Sequence, residues 1–332
     1  MASNLDEFEL IERYFAPLAS GEPGAFGLTD DAAELAITPG KHAVVTTDAI
    51  IAGVHFPVTE TPRIIASRLV RVNLSDLAAK GAKPRAYTLV LALPSTIETE
   101  WIAAFAAGLA EEQDRFGITL IGGDTTRSGG ELMLSITMIG EVSDNAMILR
   151  SGATVGDDIY VSGAIGDATL GRALMEGRIS APDDDASDYL IDRFRTPIPR
   201  VELGLGLVGL ATAAADISDG LVADLGHICR ASRVTAEVEL ALVPLSTAAQ
   251  RLVTDNQPLR INLLTGGDDY ELVFTAPANV SGQVRALAAQ CGVGLTRIGR
   301  VAAEDAQPAA VTIRDKNGRR VEVGDGGYRH FR

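Results

Sequence analysis

An α/β (α+β) chain of mixed sheets with flanking helices is what this sequence predicts, and three observations carry the expectation. The 332 residues are 46% hydrophobic with a mean hydropathy of +0.16, which provides a large core and, by length, about two domains. Stretches of helical period alternate along the chain with short apolar or alternating runs that read as strands. A polar, glycine-interrupted segment over 144–156 breaks that pattern, giving an N-terminal domain of 1–145 and a C-terminal domain of 146–332.

Leu5, Phe8, Ile11, Phe15 and Leu18 recur at three- and four-residue steps, an amphipathic helix ended near Gly21 and Pro23. Residues 43–47 form a short strand that delivers Asp48 at its end. A helix over 63–79, stopped by Gly81 and Pro84, places Asn73 and Asp76 on one face and turns Leu74 and Leu77 to the core. Residues 86–93 read as a strand and 99–116 as a helix with Trp101, Ile102, Phe105 and Leu109 inside. A strand over 118–121 runs into Gly122-Gly123, and 132–142 alternates as another strand, so several antiparallel neighbours are expected. Beyond the boundary come a strand over 158–162, a helix over 168–175, and Asp183-Asp184-Asp185 as a solvated loop and helix start. Pro199 opens a helix toward Ala213, and a further helix covers 220–231 before a strand over 235–240. Strands over 271–275 and 295–301 flank a helix near 283–289, and 315–318 is a hairpin turn.

The formal net charge of -15 disfavours nucleic acid as a partner, since such binding rests on Lys and Arg neutralising phosphates. A small phosphorylated molecule remains compatible with it, recruited through bound metals and a few placed arginines. Cys229 and Cys291 have no zinc or disulfide spacing. No basic region precedes an apolar run at the N-terminus, and the apolar stretches 87–93 and 203–215 are shorter than the roughly 20 residues of a membrane span. A cytoplasmic protein without a membrane partner is the expectation.

Six acidic segments dominate the chemistry. They are Thr29-Asp30-Asp31-Ala32-Ala33, Thr46-Thr47-Asp48, Asn73-Leu74-Ser75-Asp76, Gly122-Gly123-Asp124-Thr125-Thr126, Asp216-Ile217-Ser218-Asp219-Gly220 and Gly266-Gly267-Asp268-Asp269-Tyr270-Glu271. Each alone also reads as a helix cap, a strand end or a tight turn. As a set they point to hard divalent cations, because gathered carboxylates repel unless metals lie between them, and Mg²⁺ bridges a few carboxylates to substrate phosphates. Gly122-Gly123 permits close backbone approach to a phosphate, beside Asp124 as a metal ligand. Gly204-Leu205-Gly206-Leu207-Val208-Gly209 matches a dinucleotide pattern but lies inside a helical stretch with no strand before it, which argues against that use. His55 is a candidate substrate contact or a structural residue, while His227 reads as structural.

Together these segments resemble the thiamine-monophosphate kinase family, within the superfamily that includes aminoimidazole ribonucleotide synthetase and selenophosphate synthetase. The resemblance runs from about Glu7 to Phe331 and includes the closing Gly327-Tyr328 with His330-Phe331. It implies phosphorylation of thiamine monophosphate by ATP to thiamine diphosphate. It also implies Mg²⁺ ligands at Asp31, Thr46, Thr47, Asp48, Asp76, Asp124, Asp216 and Asp219. Nucleotide contacts fall at Gly123, Asp124, Arg150 and Ser218, and substrate contacts at His55, Asp268 and Tyr328. The fold implied is the two-domain aminoimidazole ribonucleotide synthetase-like one. In it the N-terminal domain binds ATP and metal and forms a barrel with its partner's in a homodimer, and the C-terminal domain completes the cleft. Asp268 departs from the family's glutamate, leaving the carboxylate one methylene shorter. Because the attacking phosphate oxygen is already anionic, no dedicated general base is expected, and transfer is direct. The competing expectations are another ATP-using superfamily enzyme, such as a cyclo-ligase, and a non-catalytic nucleotide- or metal-binding module. The selenophosphate variant is disfavoured by the lack of an N-terminal cysteine.

Overall fold

Two units, each built on its own β-sheet, account for the chain. The first takes residues up to Leu77 with Ala82–Asn145, and the second takes Ala78–Gly81 with residues from Ala146 onward. The coordinates are a computed structural model that describes residues 6–254, 256–303, 311–323 and 327.

The first unit begins with a short helix, α1 (Glu7–Leu10), which widens into a π-helical turn over Ile11–Phe15 and tightens into a 3-10 turn over Ala16–Ala19. The expected amphipathic helix is therefore three short pieces, broken where Pro17 removes a backbone donor. Then come β1 (Lys41–Ile51), α2 (Pro62–Ala79), β2 (Lys83–Leu93), α3 (Thr99–Phe116), β3 (Thr119–Arg127) and β4 (Met133–Ser143). The sheet order is β1-β4-β2-β3, with β1 and β2 antiparallel to β4 and β2 parallel to β3. In β4, Leu134, Ile136 and Met138 alternate and are fully buried, as a one-sided sheet requires. The two long helices are tied by a buried ion pair. Glu112 of α3 accepts from Ser67 Oγ and from Arg71 Nε and Nη2 of α2, each at 2.9 Å. Ala66 and Gly108 mark their close approach.

Two strands run well past their expected ends. β1 continues past Asp48 to Ile51, so Thr46, Thr47 and Asp48 lie within the strand and not at its end. β3 runs straight through Gly122-Gly123-Asp124, paired with Thr88, Leu89 and Val90 of β2. The pairing itself requires Gly123: a Cβ there would lie 1.9 Å from the Leu89 carbonyl oxygen.

The second unit contains β5 (Asp158–Ser162), α4 (Asp167–Met175), α5 (Asp184–Arg195), α6 (Val201–Leu207), β6 (Ala213–Asp216), α7 (Leu221–Ser232) and β7 (Thr235–Glu239). It continues with α8 (Thr247–Val253), α9 (Gln257–Asn262), β8 (Leu272–Ala276), α10 (Ser281–Cys291), β9 (Leu295–Ala302), β10 (Val311–Arg314) and β11 (Arg320–Val321). The sheet order is β11-β10-β7-β9-β5-β8-β6, antiparallel except for β10 against β7. Ile159, Val161, Ala213, Ala215, Val273 and Ile298 lie in its principal core with the inner residues of α7. A second cluster joins α4, α5 and α8 through Leu170, Leu190 and Ala249. The helix opened by Pro199 ends at Leu207, and the alanines beyond it form β6, fully buried. The dinucleotide-like glycines start inside α6 with no strand feeding them, so that pattern has no strand–turn–helix context.

Candidate active site

The acidic segments divide between the units: Asp31, Asp48, Asp76 and Asp124 belong to the first, Asp216, Asp219 and Asp268 to the second.

In the first unit, strand alternation puts Thr46 and Asp48 on one face of β1 and Thr47 on the other. The Thr46 hydroxyl donates to the Asp76 carboxylate of α2, so two side-chain oxygens converge there. Thr47 Oγ1 instead meets Thr137 Oγ1 at 2.9 Å, away from that pair. Asn73, fully buried one helical turn before Asp76, accepts the Asp48 N–H at 3.1 Å and donates to the Leu69 carbonyl at 2.9 Å. It thus locks α2 to β1 at the strand position carrying Asp48. Ser135 Oγ donates to the Asp48 carbonyl at 2.9 Å from the other side. His55 closes the turn after β1, with Nδ1 accepting the Ile51 N–H at 3.0 Å; that bond places the proton of a neutral ring on Nε2.

Asp31 and Asp124 come together with Gly123 around a cavity of about 160 Å³. Asp30, Asp31 and Gly122 to Thr125 supply its polar lining, and Ile11, Phe15, Leu28 and Leu89 are among its apolar lining. Asp30 and Asp31 lie on irregular backbone with no helix following, so the helix-cap reading of that segment does not hold.

In the second unit two distant segments are joined by backbone bonds. The β6–β8 ladder continues past the strand ends: Ile217 N–H donates to the Glu271 carbonyl at 2.7 Å, Tyr270 N–H to the Ile217 carbonyl at 2.8 Å, and Asp268 N–H to the Ser218 carbonyl at 2.8 Å. Asp268 and Tyr270 take left-handed φ of 73° and 50°, uncommon for non-glycine residues. What fixes that backbone is its buried neighbours. Asp269 accepts the Gly166 N–H at 2.7 Å and the Ala168 N–H at 3.4 Å at the start of α4. Its burial holds the carboxyl well above the usual range. Glu271, with no exposed surface, accepts from Ser162 Oγ at 2.5 Å, Arg193 Nη2 at 2.9 Å and Arg200 Nε at 2.6 Å.

The Asp216–Gly220 turn is held by Asp224, whose carboxylate accepts the Ser218, Asp219 and Gly220 N–H groups. Burial, ahead of every other influence, pushes the Asp224 carboxyl up to about 7. The Arg150 guanidinium acts electrostatically on two groups, lowering the Asp224 carboxyl and the His227 imidazole. Tyr328 lies outside the described residues, as do His330 and Phe331.

Among the described residues, no group of three or more His, Cys, Asp or Glu side chains is close enough to hold a metal ion by itself. The donors are nonetheless all hard oxygens, arranged singly and in pairs, and Mg²⁺ takes one or two carboxylates, waters and substrate phosphates in preference to an all-protein cage. The Thr46–Asp76 pair, with Asp48 on the same face, fits such an ion. The sequence reading missed Asn73 as a brace for Asp48, Asp224 beneath the serine turn, and Asp269 and Glu271 behind Asp268. The spacing of Asn73 three residues before Asp76 was a signal for the first.

Set beside known proteins, residues 29–142 match the family model of the AIR synthase related protein N-terminal domain and residues 154–310 that of its C-terminal domain. This defines the class: a two-domain AIR synthase-like α/β protein. The thiamine-monophosphate kinase of Caulobacter vibrioides is 44% identical over 297 residues, 88% of this chain and 83% of that protein. The thiamine-monophosphate kinase structure from Stenotrophomonas maltophilia K279a is 42% identical with a TM-score of 0.80, covering 89% of this chain and 91% of that one. The structure of AaThiL complexed with AMPPCP and TMP is 28% identical with a TM-score of 0.77, over 93% and 98%. The chain belongs to the thiamine-monophosphate kinase family.

Proposed function

We propose that this chain transfers the γ-phosphoryl group of ATP directly to thiamine monophosphate, yielding thiamine diphosphate and ADP. The observation that carries the reading is the backbone pairing of Ser218 with Asp268, which supports it by bringing the residue proposed to contact the nucleotide beside the one proposed to contact the substrate. The complex of AaThiL with AMPPCP and TMP supports the same pair of ligands.

Bound Mg²⁺ would neutralise the two repelling phosphate groups and hold them for in-line transfer. Within the first unit Thr46, Asp48 and Asp76, and separately Asp31 and Asp124, are the residues that would hold such an ion, and within the second unit Asp216 and Asp219. Thr47 enters that set only through its backbone, since its hydroxyl points to the other face of β1. Gly123 is the nucleotide contact of the first unit; in the second, Ser218 serves that role, with Arg150 supplying positive charge for the phosphates. His55, with its proton on Nε2, can donate to a substrate oxygen. Asp268 complements a cationic heterocycle, and Tyr328 completes the substrate contacts. No side chain is asked to remove a proton, because the acceptor oxygen is already ionised.

The test is ATP plus thiamine monophosphate with Mg²⁺, comparing the natural chain with Asp48→Asn. Thiamine diphosphate forms in the first, and the rate falls by at least about two orders of magnitude in the second, the scale of one electrostatic transition-state group. Chelation by EDTA abolishes turnover and added Mg²⁺ restores it. A radiolabelled phosphoprotein trapped during turnover would overturn direct transfer. We also propose a cytoplasmic homodimer paired through the N-terminal domains; a monomer mass in light scattering at micromolar concentration contradicts it.

A further inference from the structure

Asp224 stands in the first turn of α7, outside every position assigned above to metal, nucleotide or substrate. Its Oδ2 atom accepts three consecutive backbone N–H groups, those of Ser218 at 3.1 Å, Asp219 at 3.0 Å and Gly220 at 3.2 Å. Only 2% of the residue is exposed. Successive N–H groups converging on one point make a nest of the kind that binds anions. Here the chain fills the nest with its own carboxylate, so the nest is a structural knot and not the ligand site. The opposite edge of the same turn is fastened to the Asp268–Glu271 segment by the bonds from Ile217 and Ser218. Between these two restraints the turn has one backbone path, and Ser218 and Asp219 stand half-buried upon it.

We propose that Asp224 is a positioning residue for nucleotide binding: by gathering the three N–H groups it aims the Ser218 hydroxyl and the Asp219 carboxylate at the nucleotide and its metal. The proposal rests on the assignment of Ser218 and Asp219 made above. The competing role is plain capping of α7, which affects stability alone.

Isothermal titration with Mg-AMPPCP, alongside steady-state kinetics, separates the two. Asp224→Ala removes the acceptor and is expected to weaken nucleotide affinity about ten-fold, the equivalent of one hydrogen bond, and to raise KM for ATP more than KM for thiamine monophosphate. Asp224→Asn keeps an oxygen at the same reach and stays within about three-fold of the natural chain, well inside one hydrogen bond. Asp183→Ala serves as the control. Its carboxylate caps α5 by accepting the Ala186 N–H at 2.9 Å, so its loss lowers the melting temperature and leaves nucleotide affinity unchanged. If Asp224→Ala does not fold by circular dichroism, Asp224→Glu replaces it. The longer side chain displaces the oxygen, and the same loss of affinity relative to Asp224→Asn is expected. Asp224 variants that melt early yet bind Mg-AMPPCP like the natural chain overturn the proposal. Failure of the natural chain to make thiamine diphosphate would sink the activity assignment instead, and the titration would still decide the role of Asp224.

Discussion

Replacing Arg200 with methionine removes one partner from a carboxylate that has no exposed surface. Glu271 takes a bond from Arg200 Nε at 2.6 Å and another from Arg200 Nη2, with Arg193 and Ser162 as its other donors. Breaking a buried pair typically costs about 3–5 kcal/mol, because the remaining charge is stranded. Arg193 and Ser162 stay behind, so the lower figure, about 3 kcal/mol, is expected for Arg200→Met. For a unit of this size that corresponds to a melting temperature lower by about 6–12 °C in scanning calorimetry. A drop under about 1 kcal/mol, the range of exposed ion pairs, would refute the argument that this carboxylate depends on its arginine.

Four further outcomes are expected. Glu141 is raised by burial, but the Thr38 N–H and hydroxyl and the Arg85 guanidinium outweigh that and hold it below its ordinary 4.5. Its stabilisation is therefore complete above that pH and lost as the pH falls through the lower folded value, so the stability gap between the natural chain and Glu141→Gln closes in acid; a gap that does not change with pH refutes it. Phe105→Ala, at a fully buried ring stacked 5.2 Å from Trp101, should cost about 3–5 kcal/mol in urea unfolding. Asp268→Asn keeps a side chain that tolerates left-handed φ while removing its charge, so KM for thiamine monophosphate should rise about ten-fold, one hydrogen bond's worth, with melting temperature unchanged. Gly163→Ala places a Cβ 2.1 Å from the Glu271 carboxylate at a φ of 58°, and should lower the melting temperature; an unchanged melt argues against close packing there.

The regular periodic elements were legible from residue pattern. The helix over 99–116 and the strand over 158–162 have the same bounds in sequence and structure, because strong periodicity and clear end signals coincide there. The strand of alanines at 213–216 was not legible, since a short, fully buried run without alternation looks like the tail of the helix before it. Asp48 and Gly123 were expected at strand ends and lie within strands; hydrophobic pattern reports which face is buried and says little about where pairing stops. The acidic segments carrying the candidate site stood out in sequence. Their braces did not: Glu271 acts through arginines 78 and 71 residues away in the chain, and Asp224 through the N–H groups of the turn just before it, a fold-back that residue pattern does not report.

The bonds joining Ile217 and Ser218 to Asp268, Tyr270 and Glu271 have a practical consequence for engineering. Neither loop can be transplanted from a relative by itself, because the donor's loop would arrive cut to fit a neighbour left behind. An exchange of either loop in this scaffold calls for both to move as one cassette, with the acid beneath the serine turn carried along.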